Sequence, residues 1–145
     1  MDGQSIALLG LALCVVLCGA GSAIALWKTG SAAAGVLAED GKKFSKVLVL
    51  SVLPATQGIY GFVLAILGSN SVVADMTVAA GWSVFFTVLP LTIVGFLSAI
   101  FQGLTSVAGI LAISKNETIS GKLILFPAMV ETYAILALVI SIMLL

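Results

Sequence analysis

The sequence predicts an all-α membrane protein: four transmembrane helices arranged as two tandem hairpins. Three observations predict it. Four apolar stretches, residues 6–37, 47–67, 78–113 and 123–145, each supply the ~20 residues that a bilayer crossing needs. The chain of 145 residues is 61% hydrophobic and 8% charged, where a soluble domain carries about 25% charge. Short polar breaks separate the stretches, and only helices close their own backbone hydrogen bonds in lipid. The whole chain is then one membrane domain, with a first hairpin over residues 1–70 and a second over 71–145.

Taken in order, Met1-Asp2-Gly3-Gln4-Ser5 lacks the basic start of a secretory signal, so the first apolar run is expected to stay in the mature protein. That run carries Gly10, Cys14, Cys18 and Ser22 at four-residue spacing. The two cysteines offer too few ligands for a metal and read as small packing residues. The first break, residues 38–46, holds Lys42, Lys43 and Lys46. The second stretch contains Pro54, Thr56, Gln57 and Tyr60, and the break after it, Gly68-Ser69-Asn70-Ser71, has no lysine. The third stretch repeats the small-residue pattern with Gly95, Ala99 and Gly103, and adds Gln102. The third break, residues 114–122, again holds lysines, Lys115 and Lys122.

This distribution sets an expected orientation. Lysine-rich breaks belong in the cytoplasm, which puts loops 38–46 and 114–122 inside and both termini outside. Trp27 and Trp82 are expected near the membrane interfaces. Small residues every fourth position let backbones approach closely. Their presence on the first and third helices predicts that these two crowd an inner ring while helices two and four stand outside. Net charge is zero and the chain has no Arg and no His, so a nucleic-acid partner is excluded. No phosphate-binding Gly-Lys motif is present, so the chain is not expected to hydrolyse ATP itself.

The last stretch decides the chemistry. Glu131 is its single acid, near its middle, and no neighbour in the stretch offers a compensating charge. A charged side chain at mid-membrane costs ~2.5–3.5 kcal/mol on insertion scales and marks a functional site by default. Its partners must come from other helices. Gln57 lies 11 residues past Lys46, Gln102 lies 13 before Lys115, and Glu131 lies 9 past Lys122. At ~1.5 Å per residue the three share a depth of ~14–20 Å. Thr56 and Tyr60 share a helix face beside Gln57. Pro54 leaves the Leu50 carbonyl without a helical donor, so carbonyls from Leu50 to Leu53 join the candidate oxygens, and Pro127 acts likewise before Glu131. One carboxylate among neutral oxygens suits a hard monovalent cation, Na⁺ or H⁺. Tyr60 can donate to Glu131, whereas Tyr133, two residues away, is expected to pack elsewhere.

The chain also reads as a tandem repeat. Ser22-Ala23-Ile24 and Thr29 recur as Ser98-Ala99-Ile100 and Thr105, and Pro54-Ala55 and Tyr60 recur as Pro127-Ala128 and Tyr133. Gly58 occupies the position equivalent to Glu131, so one copy kept the acid.

The runs Leu53-Pro54-Ala55-Thr56-Gln57-Gly58-Ile59-Tyr60-Gly61-Phe62, Gln102-Gly103 and Pro127-Ala128-Met129-Val130-Glu131-Thr132-Tyr133-Ala134-Ile135 resemble the duplicated proteolipid of V-type ATPases, most of all its bacterial sodium-pumping form. The resemblance covers essentially the whole chain. It implies a homo-oligomeric rotor ring of identical subunits in a bacterial plasma membrane. It also implies Na⁺ ligands at the Leu53 carbonyl, Thr56, Gln57, Gln102 and Glu131, with Tyr60 bonding the carboxylate. The partners implied are a stator membrane subunit supplying a basic residue, a central-stalk subunit at the lysine-bearing loops, and lipid. Such a proteolipid carries ions but catalyses nothing. Two other readings compete: a small oligomeric secondary cation transporter using Glu131, and a purely structural helical scaffold. The small-residue stripes oppose the first, and the matched depths of Gln57, Gln102 and Glu131 oppose the second.

Overall fold

A computed structural model describes residues 1–145. Four long helices make up the chain: α1 (Gly3–Glu39), α2 (Gly41–Ser69), α3 (Val78–Lys115) and α4 (Glu117–Leu144). Each is long and apolar enough to cross a membrane, and there is no strand. The protein is an integral, multi-pass membrane protein of two helical hairpins.

Short polar side chains start and reverse the helices. Asp2 is extended and its carboxylate accepts from the Ser5 backbone N–H at 3.0 Å, satisfying one free donor of the first turn of α1. Hydrogen bonds from Ser5 draw the Asp2 carboxyl below its ordinary pKa. This cap is therefore intact above the usual carboxylate range and fades as pH falls through the lowered value. Asp40 alone separates α1 from α2. It is extended (φ −152°) and its carboxylate accepts from Lys42 N–H at 3.0 Å, opening the tight turn Gly41–Lys43. Asn116 does the same between α3 and α4 (φ −147°), accepting from Thr118 N–H at 3.1 Å. Such Asx side chains imitate a backbone turn. Thr77 caps α3 by accepting from Ala80 N–H at 3.2 Å.

The two Asx turns lie at one end of the bundle. Lys43 Nζ donates to the Ser114 carbonyl at 2.9 Å, and Lys46 pairs with Glu117 at 2.6 Å. A partly exposed pair of this kind is worth about 0–1 kcal/mol, so it reports the proximity of the lysine-bearing loops rather than holding them together.

Packing is most extensive between α1 and α3. A Cβ at Gly103 would stand 2.6 Å from Ala25 Cβ, and one at Gly21 would stand 2.8 Å from the Phe96 carbonyl oxygen. Only glycine permits such backbone approach, and in lipid close packing replaces hydrophobic collapse as the source of association. Helix α2 lies on α1, with Gly61 over Cys18, and α4 lies on α3. The small-residue reading of the cysteines holds: both are free and fully buried, and the Cys18 thiol donates to the Leu91 carbonyl at 3.4 Å. Two apolar clusters close the bundle. One, including Leu11, Leu64 and Leu91, lies toward the termini; the other, including Leu50, Ile110 and Ile113, lies toward the lysines.

Two helices are locally distorted. Pro54 converts Leu53–Ala55 to a 3₁₀ turn within α2, and α4 is interrupted at Ile124, three residues before Pro127. The expected proline effect is thus visible in both hairpins. Trp27 is strongly exposed and sits 12 residues before the end of α1, a helix whose 37 residues greatly exceed the ~30 Å of hydrocarbon thickness.

Gly103→Val is expected to lower the thermal denaturation midpoint of the detergent-solubilised protein by several degrees, since over-packing costs about 1–3 kcal/mol. Gly121→Ala, where a Cβ would meet nothing within 4 Å, should leave the midpoint unchanged.

Candidate functional site

The distorted turns of α2 and α4 both pack on α3, and polar side chains of all three helices meet beside them. Glu131, on α4 and half-buried, has both carboxylate oxygens engaged. Tyr60 O–H donates to Oε1 at 2.6 Å, and Gln102 Nε2 donates to Oε2 at 3.2 Å. Gln102 is fully buried and its Nε2 also donates to the Pro127 carbonyl at 3.1 Å. Gln57, equally buried, holds it from behind, with Nε2 donating to Gln102 Oε1 at 2.7 Å. Thr56 Oγ1 donates to the Leu53 carbonyl at 3.0 Å and contacts Gln57 Oε1 at 3.3 Å.

All six residues singled out from sequence therefore gather in one network, at the common depth expected. They do not all touch the acid. Only Tyr60 and Gln102 reach the carboxylate; Gln57, Thr56 and the Leu53 carbonyl stand behind Gln102 as a line of oxygens. Tyr133 points away, as expected, and is 68% exposed. It lines a shallow groove of about 240 Å³ with Leu97, Phe101 and Val130.

Sequence reasoning missed Ser98. Its hydroxyl accepts from Gln57 Nε2 at 3.3 Å and donates to the Val130 carbonyl at 3.1 Å, tying α2, α3 and α4 together one residue from the acid. The signal was available, since Ser98 precedes Gln102 by four residues and so shares its face. In the first hairpin, Ser22 Oγ accepts from the Gly58 backbone N–H at 2.9 Å.

Chemically, the network presents neutral donors alone to the Glu131 carboxyl group. No Lys lies within it, and nowhere in the chain do three or more His, Cys, Asp or Glu gather as a multidentate metal site.

The sequence profile of the ATP synthase C-subunit family matches twice, over residues 9–68 and 85–144. The chain belongs to the ATP synthase C-subunit family. It is 42% identical over 142 residues to the V-type sodium ATPase subunit K of Enterococcus hirae, covering 98% of this chain and 91% of that one. It is 39% identical over 145 residues to the A-type ATP synthase subunit K of Methanocaldococcus jannaschii. That match covers all of this chain and 64% of the archaeal one, so this chain spans under two thirds of that relative's length. It is thus a duplicated proteolipid, a rotor subunit of a V/A-type rotary ATPase and a non-catalytic part of it.

Gln102→Ala should remove the donor to Pro127 and Glu131 and strand Gln57. Leaving buried polar groups unpaired costs about 1–3 kcal/mol, which thermal denaturation in detergent would register as a clear drop. Tyr60→Phe removes only the shortest contact to the acid. It should keep the fold but let a hydrophobic carbodiimide label Glu131 faster at a fixed pH, as mass spectrometry of the labelled peptide would show.

Proposed function

We propose that this proteolipid carries Na⁺ across the membrane on Glu131, as one member of a ring of identical subunits turning against a stator. The observation that carries the reading is the site itself: one carboxylate at mid-membrane, backed by Gln102, Gln57, Thr56 and the Leu53 carbonyl. A proton needs a single acceptor. This line of neutral oxygens is more than protonation requires and matches the ligand preference of a hard cation. The Enterococcus relative belongs to a sodium ATPase, which agrees with that choice; H⁺ is the second reading.

The geometry gives each residue a task. Tyr60 aims one carboxylate oxygen. Gln102 presents its amide N–H₂ to the other, so loading a cation requires that amide to turn its oxygen inward. Gln57 can follow, because the two amides are hydrogen-bonded to each other. Facing lipid, Glu131 must be neutralised by its cation, given the cost of a bare charge. Release needs an opposing positive charge. The chain has no Arg, and its lysines lie outside this network, so a stator subunit must supply the basic residue. Helix α4 is the least buried of the four, with 17% of its most apolar window covered against 44% for α1 and α3. That contrast supports α1 and α3 as the inner circle and α2 and α4 as the outer one, meeting lipid and stator. The paired loops 38–46 and 114–122, taken as cytoplasmic, form the docking end for a central stalk. A stand-alone secondary transporter is disfavoured because the acid occurs in only one of the two hairpins.

Glu131→Gln should assemble yet abolish ion flux and carbodiimide labelling in membranes containing the ATPase. In the native chain, labelling should rise as pH falls, and Na⁺ should suppress it competitively while K⁺, being larger, protects less. A labelling curve unmoved by Na⁺ would leave the proton reading in place and remove the sodium one.

A further inference from the structure

Gln102 and Gln57 form a chain of two amides whose direction is fixed at one end. Both hydrogens of Gln102 Nε2 go to groups that only accept, the Pro127 carbonyl at 3.1 Å and Glu131 Oε2 at 3.2 Å. Gln102 Oε1 therefore faces Gln57, whose Nε2 donates to it at 2.7 Å. Gln57 Nε2 has one hydrogen left, and Ser98 Oγ accepts it at 3.3 Å. Every amide hydrogen of this fully buried pair is thus engaged, with Ser98 as the last acceptor in the line.

A hydroxyl differs from the other partners because it both accepts and donates. Ser98 accepts from Gln57 while its own hydrogen goes to the Val130 carbonyl at 3.1 Å. At the other end of the Gln57 amide stands a second hydroxyl, Thr56 Oγ1, 3.3 Å from Gln57 Oε1. The amide is bracketed by two groups that can exchange roles. When Gln102 turns its oxygen toward a cation, its N–H₂ comes to face Gln57, and Gln57 must turn as well. The Gln57 oxygen then takes the place of its nitrogen. Ser98 meets it by swinging its hydrogen from Val130 to Gln57, and Thr56 accepts from the displaced N–H₂.

The two arrangements depend on Ser98 unequally. With the Gln102 N–H₂ toward Glu131, Ser98 is the acceptor for the second hydrogen of Gln57, and an unmet buried donor carries a desolvation penalty. With both amides turned, Gln57 Oε1 is already met by Gln102 Nε2, and Ser98 only adds to that contact. The repeat gives a contrast. Ser22, the counterpart of Ser98, accepts from the Gly58 backbone N–H at 2.9 Å, a donor that cannot turn. The hairpin without the acid uses its serine as a fixed joint; the hairpin with the acid sets it against a rotatable amide.

We infer that Ser98 is a positioning residue for ion release: its hydroxyl holds Gln57, and through it Gln102, with N–H₂ rather than oxygen toward Glu131, the arrangement that lets a cation go. The assignment rests on the cation reading of Glu131. It keeps Ser98 out of the ligand set, acting only through the two amides.

Equilibrium binding of ²²Na⁺, and the rate at which bound ²²Na⁺ leaves on dilution, test this in membranes that contain the assembled ATPase. Ser98→Ala should lower the half-saturating Na⁺ concentration about fivefold and slow release by a similar factor, the effect of one buried hydrogen bond. Damage to the site alone would have the opposite sign and weaken binding. Ser98→Thr keeps the hydroxyl, and the groove of about 240 Å³ that Ser98 helps to line has room for the added methyl; it should restore both native values. Ser98→Cys, whose sulfur accepts only weakly, should move both quantities in the same direction as alanine, and it carries the test if the alanine variant fails to assemble. Ser141→Ala, at a buried serine without a partner near the end of α4, should change neither. Native or weaker Na⁺ binding in Ser98→Ala, or a threonine variant that behaves like alanine, would overturn the role of the hydroxyl and leave the sodium site standing. No saturable ²²Na⁺ binding in the native membranes would remove the site and the role together.

Discussion

A carboxylate among hydrocarbon must be met by donors on every side or be neutralised, and the centre of this protein is organised to meet Glu131. Tyr60 takes one oxygen and Gln102 the other, and neither can do so unaided. Gln102 is held by Gln57, and Gln57 by Ser98 and Thr56. The acid on α4 is thus satisfied by α2 and α3 together. A buried network is worth most when every member is paired, and here removing one side chain disturbs contacts on three helices.

The rest of the bundle serves that convergence. Polar side chains from three helices reach one point only if the backbones run close, which the glycine contacts of α1 with α3 and of α1 with α2 permit. Depth must also agree. The Asx turns at Asp40 and Asn116 reverse the chain with a single extended residue each, so both hairpins begin their return at the same level. The prolines then give up a backbone hydrogen bond in α2 and in α4, loosening the turn beside the site.

The same logic explains the asymmetry of the two hairpins. At Gly58, where the second hairpin carries the acid, the first offers only a backbone N–H, and Ser22 accepts it. That position serves helix packing. In the second hairpin Ser98 makes the corresponding contact with the backbone of α4, at Val130, and also braces Gln57. One duplicated scaffold therefore supports a packing joint in one half and the acid's network in the other.

The sequence by itself determined the class of the protein, its four helices, the lysine-marked end and the gathering of Leu53, Thr56, Gln57, Tyr60 and Gln102 about Glu131. These follow from hydrocarbon length, the ban on unpaired backbone in lipid, and the rarity of acids and amides within the spans. Counting from the lysines placed Gln57, Gln102 and Glu131 at one depth, because a helix rises by a constant amount per residue. What depth cannot supply is direction around the helix axis. Only the tertiary structure decided that Gln102 and Tyr60 touch the carboxylate while Gln57 and Thr56 stand behind. It also decided that Ser98 joins them, that Ser106 is buried without a partner, and that Trp27 lies well inside its helix. Those outcomes depend on how far each helix is rotated against its neighbours, which is set by contacts such as Gly103 on Ala25 and Gly61 on Cys18. Such contacts form between distant parts of the chain, so no local pattern of residues encodes them.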